Sequence, residues 1–174
     1  MKGKQPTQKP LIHGVQAIVQ VGFHSDYLKQ QYLLVQDKDD RGTGNGVLRF
    51  GLAGGGIEKG ETALQTICRE VYEELGISIT LDSFESFGCY QKQRVHGIND
   101  NHLYYVVINS IPESLETNDP SEVSKVHVKT LEQIIELAHM DIIHEGSVRL
   151  LFNFLNGIRF GSLNEPATLN GYTF

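Results

Sequence analysis

Three carboxylates, Glu70, Glu73 and Glu74, stand at spacings of three and four directly after Arg69, in a stretch whose pattern is helical. Like charges at those spacings repel by about a few tenths of a kcal/mol per pair, so something positive has to offset them. Arg69 can neutralise part of that charge. A hard divalent cation does it better, because Mg²⁺ or Mn²⁺ prefers carboxylate oxygens and keeps waters in its remaining positions. Such a site activates water and clamps phosphate oxygens at the same time. Taken alone, a glutamate-rich helix is most often a solvated face, and the surrounding residues have to decide between the two.

Other chemistries compete poorly. Gly55 to Gly60 has the spacing of a phosphate loop after a strand and before a helix, but the two positions that follow, Lys and Ser or Thr in that motif, are Glu61 and Thr62 here, and an acid would repel the phosphate. His139 and His144 are five apart, which does not make an i, i+4 metal pair, and no nucleophile-elbow pattern supports a serine triad. Cys68 and Cys89 are too few for a disulfide framework and lack zinc-finger spacing, which fits two buried thiols in a reducing compartment.

Reading outward from the carboxylates, Gly55, Glu61, Arg69, Glu70, Val71, Glu73, Glu74, Gly76 and Ile77 occupy the constrained positions of one pattern: Gly, five residues, Glu, seven residues, Arg-Glu, aliphatic, any, Glu-Glu, any, Gly, aliphatic. The segment resembles the Nudix box over residues 55–77, and the strand and helix order on both sides is similar to that family's fold. One departure is Ala53, where many relatives carry Pro before the glycines, a change that affects loop rigidity more than chemistry.

The resemblance implies a Nudix-type α/β/α sandwich with a mixed sheet and a loop-helix-loop catalytic motif. It further implies hydrolysis of a nucleoside diphosphate linked to another moiety, with Mg²⁺ as cofactor and Mn²⁺ as a substitute. By matching positions, Glu70, Glu73 and Glu74 would hold metal, with Glu70 also the candidate general base. Arg69 would orient Glu70, Glu61 would brace the loop or join the metal through water, and Gly55 and Gly56 would let backbone approach the phosphates. Several relatives supply a further carboxylate from outside the box. Glu122 is the candidate here, with Glu113, Glu116 and Asp100 as rivals.

On substrate, residues 78–111 contain no proline of the kind common in ADP-ribose-selective members, and Tyr90 lies early for the tyrosine of dinucleoside polyphosphate members. By exclusion this favours a nucleoside triphosphate, in the manner of the MutT-like group, giving monophosphate and pyrophosphate. Dinucleoside polyphosphate or nucleotide-sugar hydrolysis, or a non-catalytic nucleotide-binding module, are the alternatives. An isomerase of the same fold is disfavoured because Cys68 lies on the apolar side of the helix. Lys59 or Arg94 could offset a short phosphate chain, and Phe23, Tyr90, Tyr104 or Tyr105 could wall a base, although core packing explains each aromatic equally well.

The elements that must position these residues are legible in part. Odd positions from Val15 to Phe23 are apolar while Gln16 and Gln20 face the other way, predicting a strand with one buried face. Tyr32 to Val35 and Val47 to Leu52 read as strands flanking the turn-rich stretch 37–46, the second running into Ala53-Gly54-Gly55-Gly56. Thr62 and Gln65 form a capping box for a helix ending at Leu75, with Gly76 as its left-handed cap. Leu64, Ile67, Cys68, Val71 and Leu75 then form a core arc beside the glutamates. Strands are expected at 77–81, 84–95 and 102–109, the last two joined by the loop 97–100, and a short one at 126–128. Thr130 and Gln133 open a helix through Ala138, and another runs from Glu145 to Asn156.

The chain has 174 residues, near one domain on a soft prior of about 150. We expect a flexible segment at 1–10, the hydrolase domain at 11–160 and a tail at 161–174. Apolar content of 40% can build a core. A formal charge of −6 argues against gripping extended nucleic acid or an anionic membrane, leaving a small phosphorylated partner shielded by local cations, with a homodimer allowed. No signal-peptide core follows the polar N-terminus and no stretch approaches the ~20 apolar residues of a membrane span, which together predict a cytoplasmic protein.

Overall fold

The computed structural model describes residues 11–39, 46–94, 97–157, 168–169 and 172–173, without the side chains of residues 11–12, 90–94, 97–99 and the final four. The expected flexible N-terminus, and the tail apart from two short strands, lie outside the described residues.

The first strand, β1 (Leu11–Val21), starts earlier than its apolar alternation suggests and is buried on both faces. Its odd residues Val15, Ala17 and Val19 line one side; Ile18 and even the polar Gln20 are buried on the other. Gln20 is tolerated there because its amide nitrogen donates to Gly22 O (2.8 Å) and its oxygen accepts from the Tyr105 hydroxyl (3.1 Å). A central strand needs this two-sided burial. β1 pairs in parallel with β5 (Gly97–Ile108) along its whole length, and β5 pairs antiparallel with β4 (Glu85–Arg94).

β2 (Gln31–Asp37) touches β1 only at Gln20–Tyr32 and Val21–Gln31, then diverges. Its outer edge carries β6 (Val123–Thr130), antiparallel. The wedge that opens between β2 and β1 is filled by residues 50–57. β3 (Phe50–Gly51) pairs with β2, and the chain then crosses to β1, where Ala53 O accepts from Ala17 N–H (2.8 Å), Gly55 O from Val15 N–H (2.9 Å), and Ile57 N–H donates to His13 O (3.1 Å). The sheet itself therefore fixes the glycine loop.

Helices cover both faces, giving the expected α/β/α sandwich with a mixed sheet. On one face α1 (Ala63–Leu75) packs Ile67, Val71 and Leu75 against Val15, Ala17, Leu33 and Tyr104. On the other, α2 (Leu131–His139) and α3 (Glu145–Leu155) pack Leu131, Ile134, Leu151 and Phe152 against Ile18, Tyr32, Leu34 and Leu103. Full burial of each such side chain contributes about 1.5–3 kcal/mol. The short strands β7 (Thr168–Leu169) and β8 (Tyr172–Thr173) pair with each other.

Four expectations are corrected. Residues 77–81 form no strand: Ile77 and Ile79 pack on the α1-side core, which produces the alternation, but the segment has no ladder partner and leads into a 3-10 turn at Leu81–Ser83. Residues 97–100 are not a loop but the start of β5, paired with residues 91–94. The strand expected at 47–52 shrinks to β3, while that at 126–128 lengthens into β6. Among the described residues no helix is long and apolar enough to cross a membrane.

Candidate functional site

α1 is positioned at both ends by bonds its sequence encodes. At its start the Thr62 hydroxyl accepts from Gln65 N–H (3.2 Å) while Gln65 Oε1 accepts from Thr62 N–H (2.9 Å). At its end Gly76 adopts φ +70° in the left-handed region, and a Cβ there would collide with Glu116 O. The last carbonyls are then capped from a distant segment. Glu73 O accepts from Asn118 N–H (2.7 Å), Asp119 N–H (2.9 Å) and the Thr117 hydroxyl (3.0 Å). This clamp brings residues 117–122 beside the helix.

The carboxylates do not share one solvated arc as helical spacing suggests. Glu70 and Glu74 are 8% and 7% exposed, within the buried face of α1, whereas Glu73 is partly exposed at its edge. Buried charge is costly unless paired, and each buried carboxylate has a defined partner. Glu74 Oε2 accepts from Gly54 N–H (2.8 Å). Gly54 has φ +152°, and a Cβ on it would collide with Val15 O, so only glycine fits between β1 and the helix. Gly55 is as constrained: its Cβ would run into the Glu70 carboxylate. Gly56 has open space beside it, on the cleft.

Arg69 is the hub. Its Nε and Nη2 form a bidentate pair with Glu61 (2.9 and 3.1 Å), its Nη1 donates to both Glu70 Oε1 (2.8 Å) and Glu73 Oε2 (2.9 Å), and Nη2 reaches Gly56 O (3.2 Å). Glu61 also accepts from the Thr66 hydroxyl (2.8 Å) and Glu58 N–H (3.2 Å). These bonds, Arg69 first and then Thr66, pull the Glu61 pKa down to about 2. Glu70 moves the other way. Burial raises its pKa, the Arg69 guanidinium opposes that, and the charges of Glu73 and Glu122 add to the rise.

These groups line a cleft of about 480 Å³ in which Glu58, Glu70, Glu73, Glu74, Asp119 and Glu122 face one cation, Arg69, with Gly55 and Gly56 at the wall. Of the rival acids outside the box, Glu122 lies here, immediately before β6; Glu113 and Glu116 are exposed and off the cleft, and Asp100 is bound to Cys89 and His13 elsewhere on the sheet. Lys59 is exposed on the turn before Gly60 and does not line the cleft. The side chains of Tyr90 and Arg94 lie outside the described residues. Tyr104 packs edge-on against Phe84 in the core, Tyr105 lies partly buried with its ring tilted against Phe154, and Phe23 is 84% exposed. Glu58, Asn118 and Asp119 escape sequence reasoning. The Thr117-Asn118-Asp119-Pro120 run marks a turn, but nothing in it signals that the turn caps α1.

The hard oxygen donors of this cleft fit a divalent cation such as Mg²⁺ or Mn²⁺. In this arrangement Glu70 and Glu73 share an Arg69 nitrogen and Glu74 is turned to Gly54. Among the described residues, the only three metal-ligating groups with donor atoms all within 4.8 Å of one another are Cys89, Asp100 and His102. Neither cysteine is disulfide-bonded; contrary to the expected pair of buried thiols, Cys68 is half-buried and Cys89 exposed.

Comparison with known proteins fits this geometry. Residues 25–151 match the model of the NUDIX domain. A NUDIX hydrolase from Nitrosomonas europaea is similar in structure, with TM-score 0.65 at 19% identity over 87% of this chain and 93% of that one. A MutT/nudix family protein from Enterococcus faecalis superposes with TM-score 0.58 at 19% identity over 74% of this chain, which spans only 47% of that protein. A bifunctional NMN adenylyltransferase/ADP ribose pyrophosphatase from Francisella tularensis, complexed with AMP and a Mn ion, superposes with TM-score 0.62 at 24% identity over 87% of this chain and 43% of that one. No curated protein matches the chain.

Proposed function

The chain belongs to the Nudix family of pyrophosphate-bond hydrolases, and from that premise we propose that it cleaves a nucleoside triphosphate to the monophosphate and pyrophosphate, in a divalent-metal-dependent reaction carried by residues 11–160. The observation that carries this reading is the cleft in which buried Glu70, partly exposed Glu73 and exposed Glu122 gather around one arginine beside an open glycine wall. Glu70, Glu73, Glu74 and Glu122 are the residues that would hold Mg²⁺ or Mn²⁺; when bound, the cation supplies charge for the phosphate oxygens and acidifies a bound water.

Each side chain then has a task. Glu70 is the general base: burial increases its proton affinity, the direction needed to take a proton from water near neutral pH. Arg69 orients Glu70 through the 2.8 Å bond, and Glu61, bidentate on Arg69, keeps that guanidinium in place. Glu74 ties the loop to the helix through Gly54 N–H, leaving Gly55 and Gly56 on the cleft for close approach of a phosphate chain. Lys59 and Tyr90, the remaining substrate candidates, lie one on the adjacent turn and one on β4.

The triphosphate reading rests on the absence of a proline in residues 78–111 and on the position of Tyr90. A panel of nucleoside triphosphates, ADP-ribose, nucleotide sugars and dinucleoside polyphosphates, with products resolved in Mg²⁺, tests it. Monophosphate and pyrophosphate from a triphosphate are expected. Diphosphate plus orthophosphate, or activity confined to the other classes, overturns the substrate while leaving the family in place.

A further inference from the structure

Outside the cleft, a second cluster of metal-ligating groups is assembled by strand register alone. In the antiparallel β4–β5 ladder Cys89 lies directly opposite His102, and in the parallel β1–β5 ladder His13 lies beside Asp100. Asp100 and His102 are two apart on β5, so both point to the same face. Directly opposed and diagonal side chains on one face are within reach of each other, and these meet: Cys89 Sγ is 2.5 Å from Asp100 Oδ1, and His13 Nδ1 is 3.3 Å from Asp100 Oδ2. The donor atoms of Cys89, Asp100 and His102 all lie within 4.8 Å of one another.

We propose that His13, Cys89, Asp100 and His102 form a binding site for a borderline transition-metal ion, Zn²⁺ by preference, that pins β1, β4 and β5 together. Four observations carry it. The set holds one sulfur, two imidazoles and one carboxylate, a combination that suits Zn²⁺ and excludes Mg²⁺, which takes oxygen ligands. Three of the donors already lie within 4.8 Å of one another, against the roughly 3.3–3.8 Å separations of a tetrahedral zinc site, and His13, whose Nδ1 is 3.3 Å from Asp100 Oδ2, would turn in as the fourth ligand. The cluster is half-exposed, so an ion can enter. Finally, a carboxylate rather than a histidine is the hydrogen-bond partner of Cys89, which opposes a nucleophilic role for the thiol but suits two anionic ligands sharing one cation.

The site would also bear on the cleft. His13 O accepts from Ile57 N–H, one residue beyond the glycine loop, so ligation of His13 fixes the strand edge on which that loop is laid. Unlike the carboxylate cleft, this cluster requires no nucleotide and selects a different ion.

The test is titration of Co²⁺ alone into the chelator-stripped full chain, followed by visible and near-ultraviolet absorption. One equivalent is expected to give an intense tetrahedral spectrum with a thiolate charge-transfer band, both erased by one equivalent of Zn²⁺. The charge-transfer band is expected to vanish in Cys89→Ser and persist in Cys68→Ser; the tetrahedral intensity is expected to collapse in His102→Gln, which keeps the thiol should Cys89→Ser fail to fold. Glu70→Gln leaves the spectrum unchanged. A weak six-coordinate spectrum, a thiolate band that survives Cys89→Ser or is lost in Cys68→Ser, or a tetrahedral spectrum untouched by His102→Gln would each overturn the proposal.

Discussion

α1 and α2 begin alike and end as different kinds of helix. Both open on a Thr-x-x-Gln capping box whose two reciprocal bonds are formed, Thr62 with Gln65 and Thr130 with Gln133. Both pack an apolar face on the sheet. α2 buries only Leu131 and Ile134 and leaves Glu132 and Glu136 in solvent, so pattern, propensity and packing agree. α1 buries Glu70 and Glu74 in that same kind of face and compensates them with Arg69 and a glycine N–H. A helix that breaks the polar-outside rule, and is supported on every side while doing so, marks where chemistry rather than stability set the sequence.

Matched substitutions on the two helices break or sharpen that contrast. Glu70→Gln keeps size and loses basicity. With a nucleotide substrate and Mg²⁺, kcat should fall by roughly 10²–10⁴-fold in a folded protein, while Glu136→Gln on α2 leaves kcat unchanged; steady-state assays decide it, and a near-wild-type Glu70→Gln enzyme ends the assignment. Glu74→Ala strips the partner from Gly54 N–H, which should cost about 1–3 kcal/mol in urea unfolding and shrink the rise in melting temperature that Mg²⁺ produces. Glu132→Ala, in the first turn of α2, should cost about 0.3–1 kcal/mol and leave the Mg²⁺ effect intact.

The caps give a finer comparison. Thr62→Ala and Thr130→Ala should each destabilise by about 0.5–2 kcal/mol. Only the first should also lower activity, because Glu61 and the Arg69 hub lie against that turn. Equal activity losses would mean that the caps act through global stability alone.

The smallest effect is in the acid limb. Glu61, drawn from its ordinary 4.5 to about 2 by Arg69 and Thr66, contributes stability that is complete above pH 4.5 and lost as pH falls toward 2. Glu70 has the opposite sign: its raised pKa favours the folded state when protonated, a contribution lost as pH rises through that value. Unfolding curves between pH 5 and 2 should therefore fall less steeply for Glu61→Gln than for the wild type, and parallel curves would contradict the Glu61 assignment.

The contrast also shows what the sequence discloses. Both capping boxes, the Gly76 cap and the apolar stripe of α1 are local, within a few residues, and are legible. The nine box positions lie within one loop and one helix and bring the acids with them. What depends on register or on distant partners is hidden. The alternation at 77–81 reflects burial without a ladder, Gly97, Asn99 and Asp100 are turn-forming residue types that nevertheless pair in β5, and the partner of Glu74 is set by the threading of residues 50–57 through the wedge between β2 and β1. The cluster of His13, Cys89, Asp100 and His102 spans three strands and has no linear signature.

The central claim, that the buried carboxylate face of α1 exists to hold a hard divalent cation for phosphoanhydride cleavage, is tested most directly by calorimetric titration of Mg²⁺ in the presence of a non-hydrolysable nucleoside triphosphate analogue. Mg²⁺ does not suit the sulfur-containing cluster, so once the heat of Mg²⁺ binding to the analogue alone is subtracted the remainder reports on the cleft. The account predicts saturable binding to the wild type, at least tenfold weaker binding to Glu70→Gln, and wild-type binding to Glu136→Gln on α2. Absence of Mg²⁺ binding to the wild type, or equal binding to all three proteins, would contradict it.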